Sequence, residues 1–260
     1  MRPHRLIPIL LGKRAARSSL LNGLVAYWKM DESSDGSGQV ERADSGPNAF
    51  TLTDYNTTPS GTGIVSSGAA FASANSEYLG RVDDAKLRTG AAVFFDFWVK
   101  RASLATQAIL SKGDTANTTG EFVVYLTNAP SFVFRLRTTA GNQNLTLNGG
   151  PNTNVWTYYY CYYDAGAGKI YAGMNNGAVQ ELAISGTPYT GNGSLYVGGQ
   201  LYNAGVTNFF NGLIDEVGVW DRILTTAEIT ARYNGGAGLT YPFSTPASGS
   251  GAFTYPSSIG

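Results

Sequence analysis

The sequence predicts an all-β protein: a two-sheet antiparallel sandwich in one domain, with one short C-terminal helix and an extended arm at each end. Composition is the first reason. Gly accounts for 33 of 260 residues and Tyr for 16, while charged residues make up only 14%, against roughly a quarter in globular chains. Turn formers and aromatic strand formers are therefore plentiful, and the Lys and Glu that build surface helices are scarce. Second, short runs of apolar and β-branched residues alternate with clusters of Gly, Asn, Asp and Ser. Third, 43% hydrophobic and 12% aromatic residues supply enough apolar surface to offset the entropy of ordering, which excludes a disordered body.

Taken in chain order, the runs at 25–30, 93–100, 121–127, 132–138, 156–163, 169–174, 179–183, 195–199 and 211–220 read as strands. Between them, 35–38, 45–48, 113–120, 149–154, 175–177 and 191–193 have turn chemistry. Asn175-Asn176-Gly177 between two such runs predicts a hairpin. One helix is expected, capped by Thr225 or Thr226, with Glu228 in its first turn and Gly235-Gly236 at its end. No repeat of solenoid length is present.

Three segments follow: a basic arm at 1–21, the body at 22–243, and a Ser/Gly/Pro-rich tail at 244–260. The formal net charge is zero, but the arm carries Arg2, Arg5, Lys13, Arg14 and Arg17 and no acid. The rest holds 13 basic against 18 acidic residues. A basic arm on an acidic body suits docking to a partner more than reading nucleic acid, because five charges without stacking aromatics bind weakly and without sequence preference. The apolar stretch at 6–11 is shorter than a signal core and is followed by Lys13 to Arg17, so it is expected to stay on the chain. The same stretch is too short to span a bilayer. The single His4 and single Cys161 leave no set for a Cys/His zinc site or a His-assisted nucleophile.

Five blocks, in order, resemble one family. Leu24-Val25-Ala26-Tyr27-Trp28-Lys29-Met30-Asp31-Glu32 is similar to its opening strand. Asp44-Ser45-Gly46-Pro47-Asn48 resembles the turn that follows, and Asp96-Phe97-Trp98-Val99-Lys100 an inner strand. Trp156 through Asp164 with Gly168-Lys169-Ile170-Tyr171 resembles its aromatic hairpin. Phe210-Asn211-Gly212-Leu213-Ile214-Asp215-Glu216-Val217-Gly218-Val219-Trp220-Asp221-Arg222 resembles its last long strand. The family is the laminin-G-like jelly roll of the concanavalin A-like lectin/glucanase superfamily. The resemblance covers about 22–243 and implies a jelly-roll sandwich. Its members bind glycans or proteins, and a minority cleave polysaccharides, so fold alone does not assign activity.

The resemblance also implies site residues. The glucanase branch carries Glu-x-Asp-x-x-Glu on one strand, which alternation aims into one cleft, and this chain lacks that triplet. Asp215 and Glu216 are adjacent, so on a regular strand they face opposite sides; Asp96 and Glu121 could meet only across strands. No catalytic residue is assigned. One structural Ca2+ is implied, with Asp44 and Asp215 as ligands and Asp31 as a third; the alternative is that Asp215 accepts backbone hydrogen bonds and Asp44 makes an Asx turn. In the run 156–163, alternation puts Thr157, Tyr159, Cys161 and Tyr163 on one face and Trp156, Tyr158, Tyr160 and Tyr162 on the other. By the resemblance the first set packs the core. The second then forms either an outer stripe for a glycan or subunit, or cross-strand packing beneath a loop.

These features together support the expectation of a non-catalytic virion surface protein, a capsid decoration, fibre or tail component of a bacteriophage. Its arm and tail would dock onto other virion proteins in an oligomeric assembly while its jelly roll contacts surface glycans. The alternative is a bacterial extracellular carbohydrate-binding module or adhesin, and a third reading is a polysaccharide hydrolase or lyase.

Overall fold

A computed structural model of the protein describes residues 19–113, 120–150, 153–203 and 205–243. In chain order the strands are β1 (Leu24–Trp28), β2 (Thr53–Tyr55), β3 (Ser60–Thr62), β4 (Ser67–Phe71), β5 (Tyr78–Arg81) and β6 (Ala92–Arg101). They continue with β7 (Gln107–Gly113), β8 (Phe122–Leu126), β9 (Phe132–Thr138), β10 (Gly141–Leu147), β11 (Thr157–Asp164) and β12 (Lys169–Met174). The last are β13 (Gln180–Ala183), β14 (Ser194–Val197), β15 (Gln200–Tyr202), β16 (Gly205–Thr207) and β17 (Gly212–Trp220), followed by the helix α1 (Thr226–Tyr233). All nine expected strands form, as do the β12–β13 hairpin and the helix. Thr225 caps α1 and exchanges a reciprocal capping box with Glu228. The strands that the sequence concealed are short, such as β2 and β3, small-residue, such as β4 (SGAAF), or polar on their outer face, such as β10 (GNQNLTL). Their apolar alternation is too weak to read without their neighbours.

Two antiparallel sheets face each other. The first runs β13-β12-β11-β6-β17-β4-β3, and β1 pairs with the far half of β17 beyond β4; the second runs β10-β9-β8-β7-β14-β5-β2. A small β15–β16 hairpin stands apart. The main core fills the space between the sheets, where Phe95 and Phe97 of β6 meet Phe122, Phe132 and Phe134 of the second sheet. This is a jelly-roll sandwich, as the sequence leads one to expect.

A second core lies on the opposite side of the first sheet. Alternation on β6 turns Phe94, Asp96 and Trp98 away from the main core. They are covered by α1 and by the chain on either side of the sandwich: Leu20, Leu224, Ile229, Leu239 and Phe243. The face assignment of β11 holds, since Tyr159, Cys161 and Tyr163 join the main core and Tyr158 and Tyr160 the second. Of the two alternatives for the other face, the structure shows packing under a covering segment and not an outer stripe. Tyr158 and Tyr160 are buried, while Trp156 and Tyr162 pack half-buried at the rim, because α1 folds over the face that alternation alone leaves open. Tyr160 sits so close over Gly173 that a Cβ there would come within 2.2 Å of its hydroxyl, so Tyr160 itself fills the space above that strand.

The same packing moves the start of the body. Leu20 is fully buried and its carbonyl accepts a 2.8 Å hydrogen bond from Trp220 Nε1, so the boundary expected at residue 22 falls inside the fold. The arm residues Arg2, Arg5, Lys13, Arg14 and Arg17, and the tail 244–260, lie outside the described residues. Among the described residues, no helix is long and apolar enough to cross a membrane.

Candidate functional site

Among the described residues, no helix covers the outer face of the second sheet. Cross-strand register sets Gly80, Tyr196, Ser111, Val123, Arg135 and Asn144 in one row across five strand pairs. The small members make a floor and the large ones make walls. Over this floor lies a cleft of about 250 Å³, lined on one side by Arg135, Arg137 and Asn142 and on the other by Gln200, Leu201 and Tyr202. The second wall is the β15–β16 hairpin, tied down by Ser111 Oγ, which donates to the Gly199 carbonyl at 2.9 Å.

Arg135 is held in place. Its Nε donates to Asn144 Oδ1 at 2.7 Å and one Nη2 hydrogen goes to the Tyr125 hydroxyl at 3.0 Å, with the guanidinium 5.1 Å from the Tyr125 ring centre. Arg137, two residues along the same strand face, lies 5.9 Å from the Tyr189 ring. Beneath the cleft, Lys112 is fully buried and its ammonium is engaged by Asp83 at 2.7 Å, Glu121 at 2.8 Å and the Gly193 carbonyl at 2.7 Å. It pins β7 and offers no charge to a ligand. Along the floor, Tyr55 stacks on Tyr78 at 4.5 Å, and Tyr78 also touches Tyr196 and Phe209. Gly80 makes this possible: a Cβ there would stand 3.2 Å from the Tyr55 ring. Phe210 fills the main core, whereas Phe209 belongs to this outer group.

A second cleft, of about 510 Å³, lies beside β1 and is lined by Leu24, Lys86, Arg88 and Trp220 among others. Its polar groups are occupied by each other and by neighbours, Lys86 by Asn48 and Arg88 by Asp83.

The acids named from the sequence do not make a metal site. Asp44 uses both oxygens on backbone N–H groups, those of Tyr27 at 2.8 Å, Gly46 at 2.6 Å and Phe50 at 2.8 Å. This is the Asx-turn alternative, and it knots the opening turn to β1. Asp215 Oδ2 accepts from the Ile64 and Val65 amides at 2.8 and 3.1 Å. Asp31 accepts from Ser67 N at 3.1 Å and pairs with Lys29 at 3.2 Å. Among the described residues, no group of three His, Cys, Asp or Glu could hold a metal ion, so this donor set does not fit a calcium ion.

Adjacent Asp215 and Glu216 correct another expectation. β17 carries a bulge between Asp215 and Gly218, with Glu216 at φ 53°. The extra residue turns both carboxylates to the α1 side. Burial, reinforced by the neighbouring Glu216, pushes Asp215 up to about 8; burial also pushes Glu216 up to about 7 against the pull of Arg232 and of the Tyr27 hydroxyl. Both side chains are fully buried, so they can hold protons but cannot reach a substrate. Asp96 joins this buried group through Arg232, while Glu121 is paired with Lys112 in the other sheet, and the two do not meet.

A family model described as the concanavalin A-like lectin/glucanases superfamily matches residues 80–230, more than half of the chain. The chain belongs to that superfamily. No curated protein matches this superfamily member in sequence. Among solved structures it is similar to domain 4 of AbnA, a GH43 extracellular arabinanase from Geobacillus stearothermophilus, in complex with arabinotriose. The identity there is 17% and the TM-score 0.60, covering 80% of this chain and 96% of that one. It is also similar to the binding domain of Paraclostridial Mosquitocidal Protein 1, at 14% identity and TM-score 0.63, covering 84% and 53%. A third is the receptor-binding domain of botulinum neurotoxin type G, at 13% and 0.59, covering 83% and 52%. The chain thus spans about half of each toxin chain, and all three likenesses are of fold.

The cleft residues of this lectin/glucanase-fold chain were missed in the sequence, yet their signal was there. Phe132, Phe134 and Leu136 alternate with Arg135 and Arg137 in one strand, which sets two guanidiniums on the face away from the core. What no pattern revealed is the β15–β16 hairpin that makes the opposite wall.

Proposed function

We propose that the protein is a non-catalytic glycan-binding module, with its ligand in the cleft between Arg135 and Tyr202. The observation that carries this reading is the cleft itself. Its walls present guanidinium and amide donors and a Tyr202 ring that is 47% exposed, and the stacked Tyr55–Tyr78 pair, with Tyr196 tilted against it, extends along the same face. Aromatic rings beside fixed donors suit sugars, which offer one apolar face and a rim of hydroxyls. The complex of the arabinanase domain with arabinotriose supports the reading by analogy of fold. The non-catalytic part rests on the lining, which includes no Asp or Glu among the described residues, whereas glycoside cleavage ordinarily needs two.

Calorimetric titration against an oligosaccharide panel tests it. Tyr202→Ala is expected to weaken binding on the order of tenfold, while Tyr162→Phe, at the rim of the second core, leaves it unchanged. A panel without any binder, or equal effects of the two variants, counts against the cleft.

Display on a virion is a second reading, favoured by one observation: five basic residues and no acid in 1–21, ahead of an acidic body. We propose that this arm, with the tail 244–260, docks the module onto partner proteins of an assembly. Light scattering of the full chain and of residues 19–243 is expected to show assembly by the first and a monomer by the second. Two identical monomers would favour a free-standing extracellular module.

A further inference from the structure

The aromatic surface of the second sheet continues past the cleft. Tyr55 and Tyr202 are the two most exposed aromatic side chains among the described residues, at 39% and 47%, and both stand on this outer face. β2, the last strand of the sheet, carries Thr53-Asp54-Tyr55. Asp54 turns inward and accepts from the Val40 and Thr58 amides, each at 3.0 Å, so alternation turns Tyr55 outward. The ring is fixed there. It lies nearly parallel to Tyr78 at 4.5 Å, with an interplanar angle of 8°, and Tyr78 is backed by Tyr196 and Phe209. A ring held before any ligand arrives loses little freedom on binding. The β15–β16 hairpin joins this platform to the cleft. Gln200 lines the cleft wall, and Asn208, the residue before Phe209, donates from Nδ2 to Gln200 Oε1 at 3.2 Å, so exposed amides run between the two.

We propose that the ligand is an extended glycan chain, which runs from the Arg135–Tyr202 cleft across the hairpin to a second stacking subsite on Tyr55. The proposal rests on the glycan-binding reading above and specifies its ligand class: a polymer held along its length, in preference to a single terminal sugar. Along β9-β8-β7-β14-β5-β2, the strand of Arg135 and the strand of Tyr55 are five steps apart. That is roughly 24 Å at about 4.8 Å a step, a span that no disaccharide covers. One sugar ring lays its apolar face on Tyr55 while hydroxyls along the chain meet the amides of Gln200 and Asn208. A chain seated in the cleft is held near the platform, so two modest contacts on one molecule combine into a larger affinity.

Pairs that differ only in length test it by titration of the full chain: cellobiose against cellohexaose, chitobiose against chitohexaose, and arabinobiose against arabinohexaose. The longer member of at least one pair is expected to bind about tenfold more tightly. Tyr55→Ala is expected to remove that gain, and Tyr55→Phe, which keeps the ring, to retain it. Tyr162→Phe, in the other sheet, is expected to leave the gain as it is. Circular dichroism checks that each variant is folded. A longer member that binds no more tightly than the shorter, or a gain that survives Tyr55→Ala, would overturn the extended-chain assignment. Weakened binding by Tyr202→Ala in that case would leave the cleft reading standing. No binding by any of these sugars, with the wild-type chain folded, would count against both.

Discussion

Arg232→Met is expected to destabilise the fold by about 3–5 kcal/mol, the range seen when one partner of a buried ion pair is removed. Arg232 is fully buried and engages all five of its N–H donors. Nε and Nη2 reach the two oxygens of Asp96 at 2.7 and 3.1 Å; Nη1 reaches the Tyr27 hydroxyl at 2.6 Å and the Leu239 carbonyl at 3.3 Å; Nη2 also reaches the Glu216 carbonyl at 3.1 Å. The rings of Tyr27 and Phe243 lie 4.9 and 5.2 Å from the guanidinium. Methionine fills much of the volume but leaves Asp96 charged and without its cation in a site closed to water. Urea unfolding measures the loss. Arg88→Met provides the comparison, because Arg88 is partly exposed and its partner Asp83 keeps a second cation in Lys112, so it is expected to change stability by less than about 1 kcal/mol. If the two variants unfold at the same urea concentration, Arg232 is not the clasp that holds α1 to the sheet.

Stability is also expected to fall as the pH rises from about 5 to about 9, by a few kcal/mol. Asp215, at about 8 against an ordinary 3.8, and Glu216, at about 7 against 4.5, keep their protons in the fold where the unfolded chain releases them. Their contribution is full below the ordinary values and is lost as pH climbs through the folded ones. The cause is visible in the structure: Asp215 Oδ1 and Glu216 Oε1 are buried without hydrogen-bond partners, so the partners of the other oxygens offset only part of the cost of ionisation. Glu228 works in the other direction. Bonds from Arg222, Ser19 and the Thr225 amide outweigh its burial and hold it down at about 2, so its contribution is full above 4.5 and is lost as pH falls from there through about 2. A weakly acidic optimum follows. Asp215→Asn is expected to flatten the alkaline limb, as read from melting temperature against pH. A melting temperature that climbs steadily from pH 5 to 9 would sink this account.

Much of the architecture could be read from local pattern. The alternation in 132–138 and 156–163, the Asn-Asn-Gly hairpin and the Thr225–Glu228 cap all emerged where the residues placed them, because each depends on neighbours within a few positions. The candidate site was less legible. Arg135 and Arg137 stand in a readable strand, but a cleft needs a second wall, and the short β15–β16 hairpin carries too little apolar pattern to announce itself.

The residues of 156–163 mark the limit. Their order alone separates two faces, one of Tyr159, Cys161 and Tyr163 and one of Tyr158, Tyr160 and Tyr162, since the period of a strand is a property of its own backbone. Whether the second face meets solvent depends on Leu20, α1 and Phe243, which come from both ends of the sandwich. Likewise, the adjacency of Asp215 and Glu216 is a fact of sequence, but their common side comes from a bulge in the register of β17 against β6. Face and period are local, and local chemistry suffices for them. Burial and register depend on which distant segment arrives, and that choice is made by packing.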